Sequence, residues 1–548
     1  MSFGPTSFRP YTRQGWGAAA FRGLQGTPGG IGGQSGNVVY RSPGGNANWQ
    51  IIGVTRNSSG AVLASCNLDL FITGSDQLAM RTVSDAGGNF TFPNPGTGPF
   101  YIVAYKAGSP DVAGTTVNTI FPTALVQSST APTATALPQP GNLVFQLSAD
   151  SLAQSNGTAV SSWTDSINGA VATQATGGLQ PVFRTNAMGG KPAVEFPGSA
   201  FMNAGRPTAA ASALDTGGHT IFVVYKTLAN TSNGMLFNTS PAGGGNIMLV
   251  SDGTNTGRYG KTAPHTSTGF STMASMVSST EAGAYRTAIN GTIFYVDDVD
   301  GTTSGGQNIY IGGIQNSTFF VNAQIFEVLI WSNRLTAAEL LKAQMWACDK
   351  YSQPYPWAAS SDFIVFAGDS LTQGSGAFGT GSYPYQAAQL LSRPWGTWTN
   401  IGEGGITMTT VDTVCATHAD PIPALIGKTT KVAAFEYYNQ RALGSTACIS
   451  NSRAFLANRK AVANMKTVFA TSTGSSLDPD ATRTAYNASF DGDSTNCDAY
   501  VPVHNNASIG VSGAYAANSG TLWFDTVHFN SSGYAVLAGL MASGISSI

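Results

Sequence analysis

Short segments in which apolar and polar residues alternate dominate the first two thirds of the chain. WQIIGVTRN, LDLFITG, LAMRTVS, NFTFPN and FYIVAYKAG follow one another between residues 49 and 125, separated by Gly, Asn, Asp and Pro. Alternation with a period of two is typical of strands that bury one face. The spacing of about 10–12 residues predicts a small β-sandwich over residues 49–125.

The all-β pattern continues from residue 141 to residue 350. NLVFQLSA, TIFVVYKT and AQIFEVLIWS have the composition of strands, and AYRTAI and TIFYVDD flank Asn290-Gly291. This dipeptide predicts a tight two-residue hairpin. Thr336 and Glu339 form a capping box ahead of an apolar helix face. We therefore expect a second, larger β domain that closes with one helix.

From residue 362 the pattern changes to buried strands that alternate with helices. FIVFA at 363–367 and KVAAFEYY at 431–438 are continuous apolar runs, typical of strands buried on both faces. YPYQAAQLL, RAFLANRKAVANM and the last segment NSSGYAVLAGLMASGI are helix-like, and the last helix is expected to have a Ser cap. The alternation predicts a doubly wound parallel α/β sheet over residues 362–548.

The remaining segments are rich in Gly, Pro, Ser and Thr. Residues 126–140 and 351–361 have the composition of linkers. Residues 1–48 form a Gly/Pro-rich arm that cannot bury enough apolar area to fold alone. We expect another chain of an assembly to hold this arm, and a flexible tail is the alternative.

Composition narrows the classes of partner. Only 10% of the 548 residues are charged, 66 are Gly, and the net charge is −2. The chain lacks a basic patch, which argues against nucleic acid, and it lacks an apolar run of about 18 residues, which argues against membrane insertion. Its start lacks the apolar stretch of a signal peptide. Such an uncharged polar surface is common in virion, cell-wall and other extracellular proteins.

Cysteine and histidine give no sign of a metal site. The five cysteines include no CxxC pair, and the five histidines include no HExxH. We expect neither a metal nor another cofactor. Buried free thiols are the simpler expectation, and one disulfide among Cys415, Cys448 and Cys497 stays open.

Residues suited to acyl transfer lie at both ends of the α/β segment. Ser370 follows the first predicted strand within FAGDSLTQGSG, so its hydroxyl is expected at the carboxyl edge of the sheet. Asp525 and His528 are three residues apart, immediately before the last helix, so one tight loop can deliver both. A serine hydroxyl is a weak nucleophile and needs such an adjacent base.

Two further blocks lie between these residues. NIGEGGITMTT spans 400–410, and FEYYNQRA begins within the second buried run, so that Asn439 lies just past the strand. Together with the Ser370 block and WFDTVHFNSSGY they resemble, in order and spacing, the SGNH/GDSL serine hydrolases. The resemblance covers residues 362–548 and implies a nucleophile Ser370, a base His528 and an orienting Asp525, without metal or cofactor.

The resemblance also implies an oxyanion hole. Its donors would be the N–H groups of Ser370 and Gly405 and the side-chain amide of Asn439, and Gly404 is the less favoured register for the glycine. Tyr437 and Gln440 depart from the family, which usually has Gly and Asp there. This departure puts the path of the loop, substrate access and full activity in question.

Two resemblances concern the β modules. TVSDAGGNFTF within 49–125 is similar to a hairpin of transthyretin-like or carboxypeptidase-regulatory-like modules, which space or connect other domains. The stretch 141–350 resembles laminin-G/concanavalin-A-like jelly rolls through LSADSL, GGKPAVEFPGSAFM and AQIFEVLIWSNRLTAAELLKAQ. That family often binds glycans, which implies carbohydrate binding here, although many members are only structural.

Taken together, these features predict a modular bacteriophage virion or tail protein that carries a carbohydrate esterase. Its substrate would be an acetylated host surface polysaccharide, its arm would bind other virion proteins, and it would form a homo-oligomer. A non-catalytic adhesion or decoration protein that kept the hydrolase fold is one alternative. A bacterial polysaccharide esterase exported to the extracellular space without a signal peptide is the other.

Overall fold

The computed structural model separates the chain into two compact units, residues 1–127 and residues 128–548. It describes residues 49–548 except 58–60, 94–98, 107–111, 116–119, 121–122, 125–135, 216–217, 230–233, 240–247, 252–254, 259–260, 266–268, 278–284, 298–307, 315–318 and 494. The predicted arm, residues 1–48, and most of the predicted linker 126–140 lie outside the described residues.

The first unit is a pair of small sheets around an apolar core. Apolar residues that alternate along its strands, such as Leu68 and Leu70, are fully buried between the sheets. The sheets have the strand orders β4-β1-β7 and β3-β2-β5-β6. The strands are β1 (Trp49–Val54), β2 (Asn67–Ile72), β3 (Gln77–Val83), β4 (Asn89–Pro93), β5 (Phe100–Lys106), β6 (Val112–Thr115) and β7 (Thr123–Ala124).

The second unit begins with two stacked antiparallel sheets. One has the order β18-β17-β16-β15-β22-β13-β10-β9, and the other has the order β11-β12-β23-β14-β19-β20-β21, with β8 paired to β23. The strands are β8 (Leu143–Ser148), β9 (Ser162–Thr164), β10 (Val171–Thr173), β11 (Val182–Met188), β12 (Lys191–Pro197), β13 (Met202–Asn203), β14 (His219–Thr227), β15 (Met235–Asn238), β16 (Met248–Ser251), β17 (Asn255–Arg258), β18 (Lys261–Pro264), β19 (Ser271–Val277), β20 (Tyr285–Ile289), β21 (Thr292–Asp297), β22 (Tyr310–Ile311) and β23 (Asn322–Trp331). We call this part the jelly roll.

The predicted hairpin turn and the predicted capping box are both present in the jelly roll. Asn290 and Gly291 join β20 to β21 with φ angles of 49° and 85°, the left-handed pair that a tight hairpin needs. Thr336 and Glu339 form the reciprocal capping box of helix α2 (Ala337–Lys350). The jelly roll also contains the short helix α1 (Thr208–Asp215).

The C-terminal part is a parallel sheet flanked by helices. Its order β25-β24-β26-β27-β28 is the flavodoxin-like order, in which the strand order reverses between β24 and β26. The strands are β24 (Asp362–Gly368), β25 (Trp398–Asn400), β26 (Thr429–Phe435), β27 (Met465–Ala470) and β28 (Ala499–Val501). The helices are α3 (Ser370–Gln373), α4 (Tyr383–Leu390), α5 (Met408–His418), α6 (Ile422–Ile426), α7 (Ser445–Lys460), α8 (Ala481–Phe490), α9 (Ala514–Asn518) and α10 (Ser531–Ser546).

The jelly roll and the α/β part share one hydrophobic core. That core joins side chains of α2 and β23 to side chains of β24, β26 and α5. The connecting segment 351–361 contributes to it, because Tyr351 and Trp357 are fully buried. A hydrogen bond of 2.6 Å from the Gly396 backbone N–H to the Thr292 hydroxyl oxygen also joins the two parts. Residues 351–361 are therefore packed chain rather than a solvated spacer.

The structure differs from the sequence-based expectations in the cap of the last helix, and it decides the open question of a disulfide. The last helix is capped by Asn530, not by a serine, because the Asn530 Oδ1 accepts the N–H groups of Ser532 and Gly533. All five cysteines are free and buried, so a disulfide among Cys415, Cys448 and Cys497 is wrong. Within the described ranges, no helix is long and apolar enough to cross a membrane.

Candidate active site

A sharp turn between β24 and α3 presents Ser370. Gly368 ends the strand where a Cβ would lie 2.0 Å from the Phe435 carbonyl oxygen, so only glycine fits this close approach of two strand ends. Asp369 caps α3, and its Oδ1 accepts the Leu371 N–H at 2.9 Å. Ser370 is thus the first residue of the helix, at the carboxyl edge of the sheet.

The loop before α10 holds the other two predicted catalytic residues. Asp525 Oδ1 accepts the backbone N–H groups of Val527 at 2.8 Å and His528 at 2.7 Å, which folds the loop around the carboxylate. A bridge between Trp523 and Phe529 closes the base of the loop. The local spacing Asp-x-x-His therefore fixes the direction of both side chains.

The structure brings Ser370, His528 and Asp525 into one hydrogen-bonded chain. His528 Nε2 lies 2.8 Å from Ser370 Oγ, and His528 Nδ1 lies 2.7 Å from Asp525 Oδ2. Burial alone would raise the pKa of Asp525, but the hydrogen bonds from the His528 ring and the loop N–H groups outweigh it and lower the pKa. A carboxylate that stays ionised holds the proton on Nδ1 and leaves Nε2 as the base facing the hydroxyl.

One backbone N–H and one side-chain amide lie at the same edge of the sheet as the Ser370 hydroxyl. Its own N–H is at the first position of α3, where a backbone N–H has no acceptor within the helix. Asn439 follows β26, the strand next to β24, and its Nδ2 donates one hydrogen to Asp369 Oδ2 at 3.3 Å. An amide nitrogen carries two hydrogens, so a second donor remains for a ligand at this edge.

The predicted glycine donor lies in the turn before α5. Gly405 is exposed and has a φ of +74°, and a Cβ there would meet no described atom within 4 Å. Its surroundings are therefore open enough for a ligand to reach the backbone. Gly404, the alternative register, is less exposed.

A pair of buried carboxyl groups under this site did not emerge from the sequence. Glu436 Oε1 accepts the N–H groups of Asn439 at 3.1 Å and Gln440 at 3.3 Å. Burial raises the pKa of Glu436 well above its usual value, and the nearby Asp369 adds to the shift. An ionisable residue at the end of a buried apolar run was the available signal.

The two departures from the family pattern have defined partners. Tyr437 is buried, and its hydroxyl donates to Asp480 Oδ2 at 3.0 Å. Gln440 is buried as well, and its Nε2 lies 3.5 Å from the Ser452 hydroxyl oxygen. Both side chains therefore hold the loop that carries Asn439 through hydrogen bonds to the protein interior.

A cleft of about 490 Å³ lies next to the loop that carries Asp525 and His528. Tyr295 and Thr262 of the jelly roll line one wall, and residues 376–381 with Ser531 line the rest. Phe524, which precedes Asp525, is 66% exposed and contacts Gly376. Among the described residues, no group of three or more His, Cys, Asp or Glu could hold a metal ion.

No protein-family model and no curated protein sequence matches this chain. Many solved structures resemble parts of it, and three examples follow. A GDSL-family lipolytic protein from Veillonella parvula is 15% identical, covers 34% of this chain and 97% of its own, and has a TM-score of 0.27. A second one, described as putative, from Desulfitobacterium hafniense, has 13% identity, coverages of 34% and 99%, and a TM-score of 0.26. Domain 4 of an extracellular arabinanase from Geobacillus stearothermophilus has 14% identity, coverages of 37% and 98%, and a TM-score of 0.28.

Proposed function

We propose that this protein is a serine esterase that hydrolyses carboxylic esters through Ser370, His528 and Asp525. The observation that carries the proposal is the continuous hydrogen-bonded chain from Ser370 Oγ through both ring nitrogens of His528 to Asp525. Residues more than 150 positions apart meet there with the spacing that proton transfer needs.

The reaction would proceed by acyl transfer. His528 Nε2 takes the Ser370 proton as the oxygen attacks the ester carbonyl, and it returns that proton to the leaving alcohol. Water then attacks the acyl-enzyme with the same base and releases the acid. Asp525 holds the ring orientation and stabilises the imidazolium.

Negative charge on the carbonyl oxygen would be met by the N–H groups of Ser370 and Gly405 and by the second hydrogen of the Asn439 amide. Each donor of this kind contributes about 2.7–4 kcal/mol in acyl-transfer enzymes. Ser370 and Asn439 lie beyond the ends of β24 and β26, where the strand order of the sheet reverses, and this position fits the ligand site of such folds.

The proposed substrate is an O-acetylated polysaccharide. The open cleft beside the catalytic loops and the exposed Phe524 ring support this choice, because aromatic faces stack on sugar rings. We further propose that the protein acts on a bacterial surface from a phage particle, attached through residues 1–48 to other virion proteins as a homo-oligomer. Detection of the chain by mass spectrometry of purified particles tests this location, and its absence from them refutes it.

Hydrolysis of p-nitrophenyl acetate tests the esterase itself. We expect wild type to release nitrophenolate, Ser370→Ala to lose this activity, and the matched control Ser489→Ala on α8 to keep it. The control hydroxyl bonds only to its own helix, at Tyr486 O, so its loss leaves the site intact. Equal low rates in wild type and Ser370→Ala would refute catalysis.

That last outcome would favour the second candidate, a non-catalytic adhesion protein. The specific observation behind it is the block around Asn439, where Tyr437 and Gln440 are built into the interior and one amide hydrogen already serves Asp369. Binding of the intact chain to acetylated host polysaccharide, unchanged by Ser370→Ala, would support adhesion.

A further inference from the structure

The turn that carries Gly405 begins with a buried charge, Glu403. Its side chain is only 3% exposed, and both cations that contact it come from the jelly roll. Arg334 Nη2 lies 3.0 Å from Glu403 Oε1, and Arg286 contacts the same oxygen. Arg286 lies on β20 and Arg334 lies between β23 and α2, so two jelly-roll segments converge on one turn of the α/β part.

The same turn is fixed on its other side to the segment that presents Ser370. The Glu403 N–H donates to the Gly368 carbonyl oxygen at 3.1 Å. Gly402 packs so closely on α3 that a Cβ would lie 2.5 Å from the Gln373 nitrogen. Residues 402–405 are therefore held between the nucleophile turn and the jelly roll.

The charges around Glu403 indicate that this contact is more than a stabilising ion pair. His418 Nδ1 accepts the Ala337 N–H at 3.0 Å, and burial lowers the pKa of this ring well below its usual value, so His418 is neutral. Two buried guanidinium groups thus share the Glu403 carboxylate, and the neutral His418 ring beside them adds no charge. Desolvation of such a cluster offsets its attraction, so its best-attested use is to fix one geometry rather than to add stability.

We propose that Arg286 and Arg334 are positioning residues of the esterase, because they hold Glu403 and thereby the backbone of Gly404 and Gly405 at the oxyanion site. The jelly roll is then an integral part of the catalytic unit, whatever its contribution to glycan binding. This inference rests on the proposed esterase function.

Arg334→Met is the cleanest variant. It removes one of the two guanidinium groups from Glu403 and keeps the Arg286–Glu403 pair, whereas Glu403→Gln would take the carboxylate away from both buried cations and threaten folding. With p-nitrophenyl acetate we expect kcat to fall about tenfold, a fraction of the loss seen when an oxyanion donor is removed outright, and KM to change less than twofold. Arg334→Lys should recover part of kcat because it restores the charge.

Arg184→Met is the matched control. It removes another jelly-roll arginine from a carboxylate, Glu195, which lies on β12 and keeps its bond from Gln324. We expect this variant to retain wild-type kcat. Equal losses of kcat in Arg334→Met and Arg184→Met would overturn the proposal.

Amide hydrogen exchange gives a readout that does not depend on turnover. In the full chain, Arg334→Met should speed exchange of the peptide covering residues 400–411, and Arg184→Met should not. Unchanged exchange of this peptide, or an unchanged kcat, would each overturn the proposal. If wild type lacks Ser370-dependent hydrolysis, the esterase proposal fails, and the positioning role of Arg334 in catalysis fails with it. Hydrogen exchange alone then decides whether the jelly roll holds the turn at residues 402–405.

Discussion

Replacing Asp525 by Asn should abolish most activity while leaving the fold almost untouched. The two oxygens of Asp525 have separate tasks in the structure. Oδ1 accepts hydrogen bonds from the N–H groups of Val527 and His528, and Oδ2 accepts a hydrogen bond from His528 Nδ1–H. An asparagine oxygen can keep the first task, but the amide nitrogen turns an acceptor into a donor at the second.

The size of the effect follows from the tautomer. A donor facing Nδ1 favours the ring with its proton on Nε2, the atom that lies 2.8 Å from Ser370 Oγ, so the base is lost. The corresponding change in a well-studied serine protease lowers kcat by about 10⁴, equivalent to about 5.5 kcal/mol of activation free energy. The Asp525 side chain is 42% exposed, and its loop bonds persist, so we expect the free energy of unfolding to change by less than about 0.5 kcal/mol.

Initial rates with p-nitrophenyl acetate and thermal unfolding of the same samples measure both quantities. Asp525→Ala is the companion variant, because it removes the loop bonds as well and should cost about 1–2 kcal/mol of stability. If Asp525→Asn keeps more than a tenth of wild-type kcat, then Asp525 does not set the tautomer, and the proposed roles are wrong.

Three other predictions test separate parts of the site. Gly368→Ala should prevent folding or lower the melting temperature sharply, because the new Cβ would lie 2.0 Å from the Phe435 oxygen; a soluble variant with a wild-type melting curve contradicts this. Burial raises the pKa of Glu436, and that of Asp369 to about 7, so the folded state loses stability as rising pH ionises them. Glu436→Gln should therefore raise the melting temperature above that of wild type at alkaline pH. A melting temperature below that of wild type would contradict the predicted direction of the change. Phe524→Ala should raise KM for an acetylated polysaccharide but leave p-nitrophenyl acetate hydrolysis nearly unchanged, and equal effects on both substrates would remove its stacking role.

The hydrogen-bonded chain of Ser370, His528 and Asp525 was predictable from the sequence because each part has a strong local signal. Ser370 lies at the end of a buried strand, and Asp525 and His528 share one short loop. In a doubly wound sheet, the carboxyl ends of parallel strands meet at one edge, so distant motifs converge there. Asn290-Gly291 and the Thr336 capping box were equally predictable, since their chemistry is local.

Features that depend on partners distant in sequence were not predictable. Nothing near Arg286 indicates that its charge lies buried against Glu403, 117 positions away. Glu436 lies within an apolar run, and nothing in that run indicates that it lies near Asp369, which follows a different strand. The predicted serine cap of the last helix is wrong because Asn530 immediately precedes Ser531, and asparagine and serine are about equally good N-caps.

The shared core around Tyr351 and Trp357 limits how this protein can be rearranged. Grafting the α/β part onto another scaffold, or exchanging the jelly roll for a different sugar-recognition module, would strip apolar side chains of both parts of their neighbours. Such chimeras should aggregate or lose cooperative melting. Recombination, in the laboratory or between genomes, is therefore expected to move residues from about Pro138 to the C terminus as one cassette, because Pro138 already accepts a hydrogen bond from Trp331.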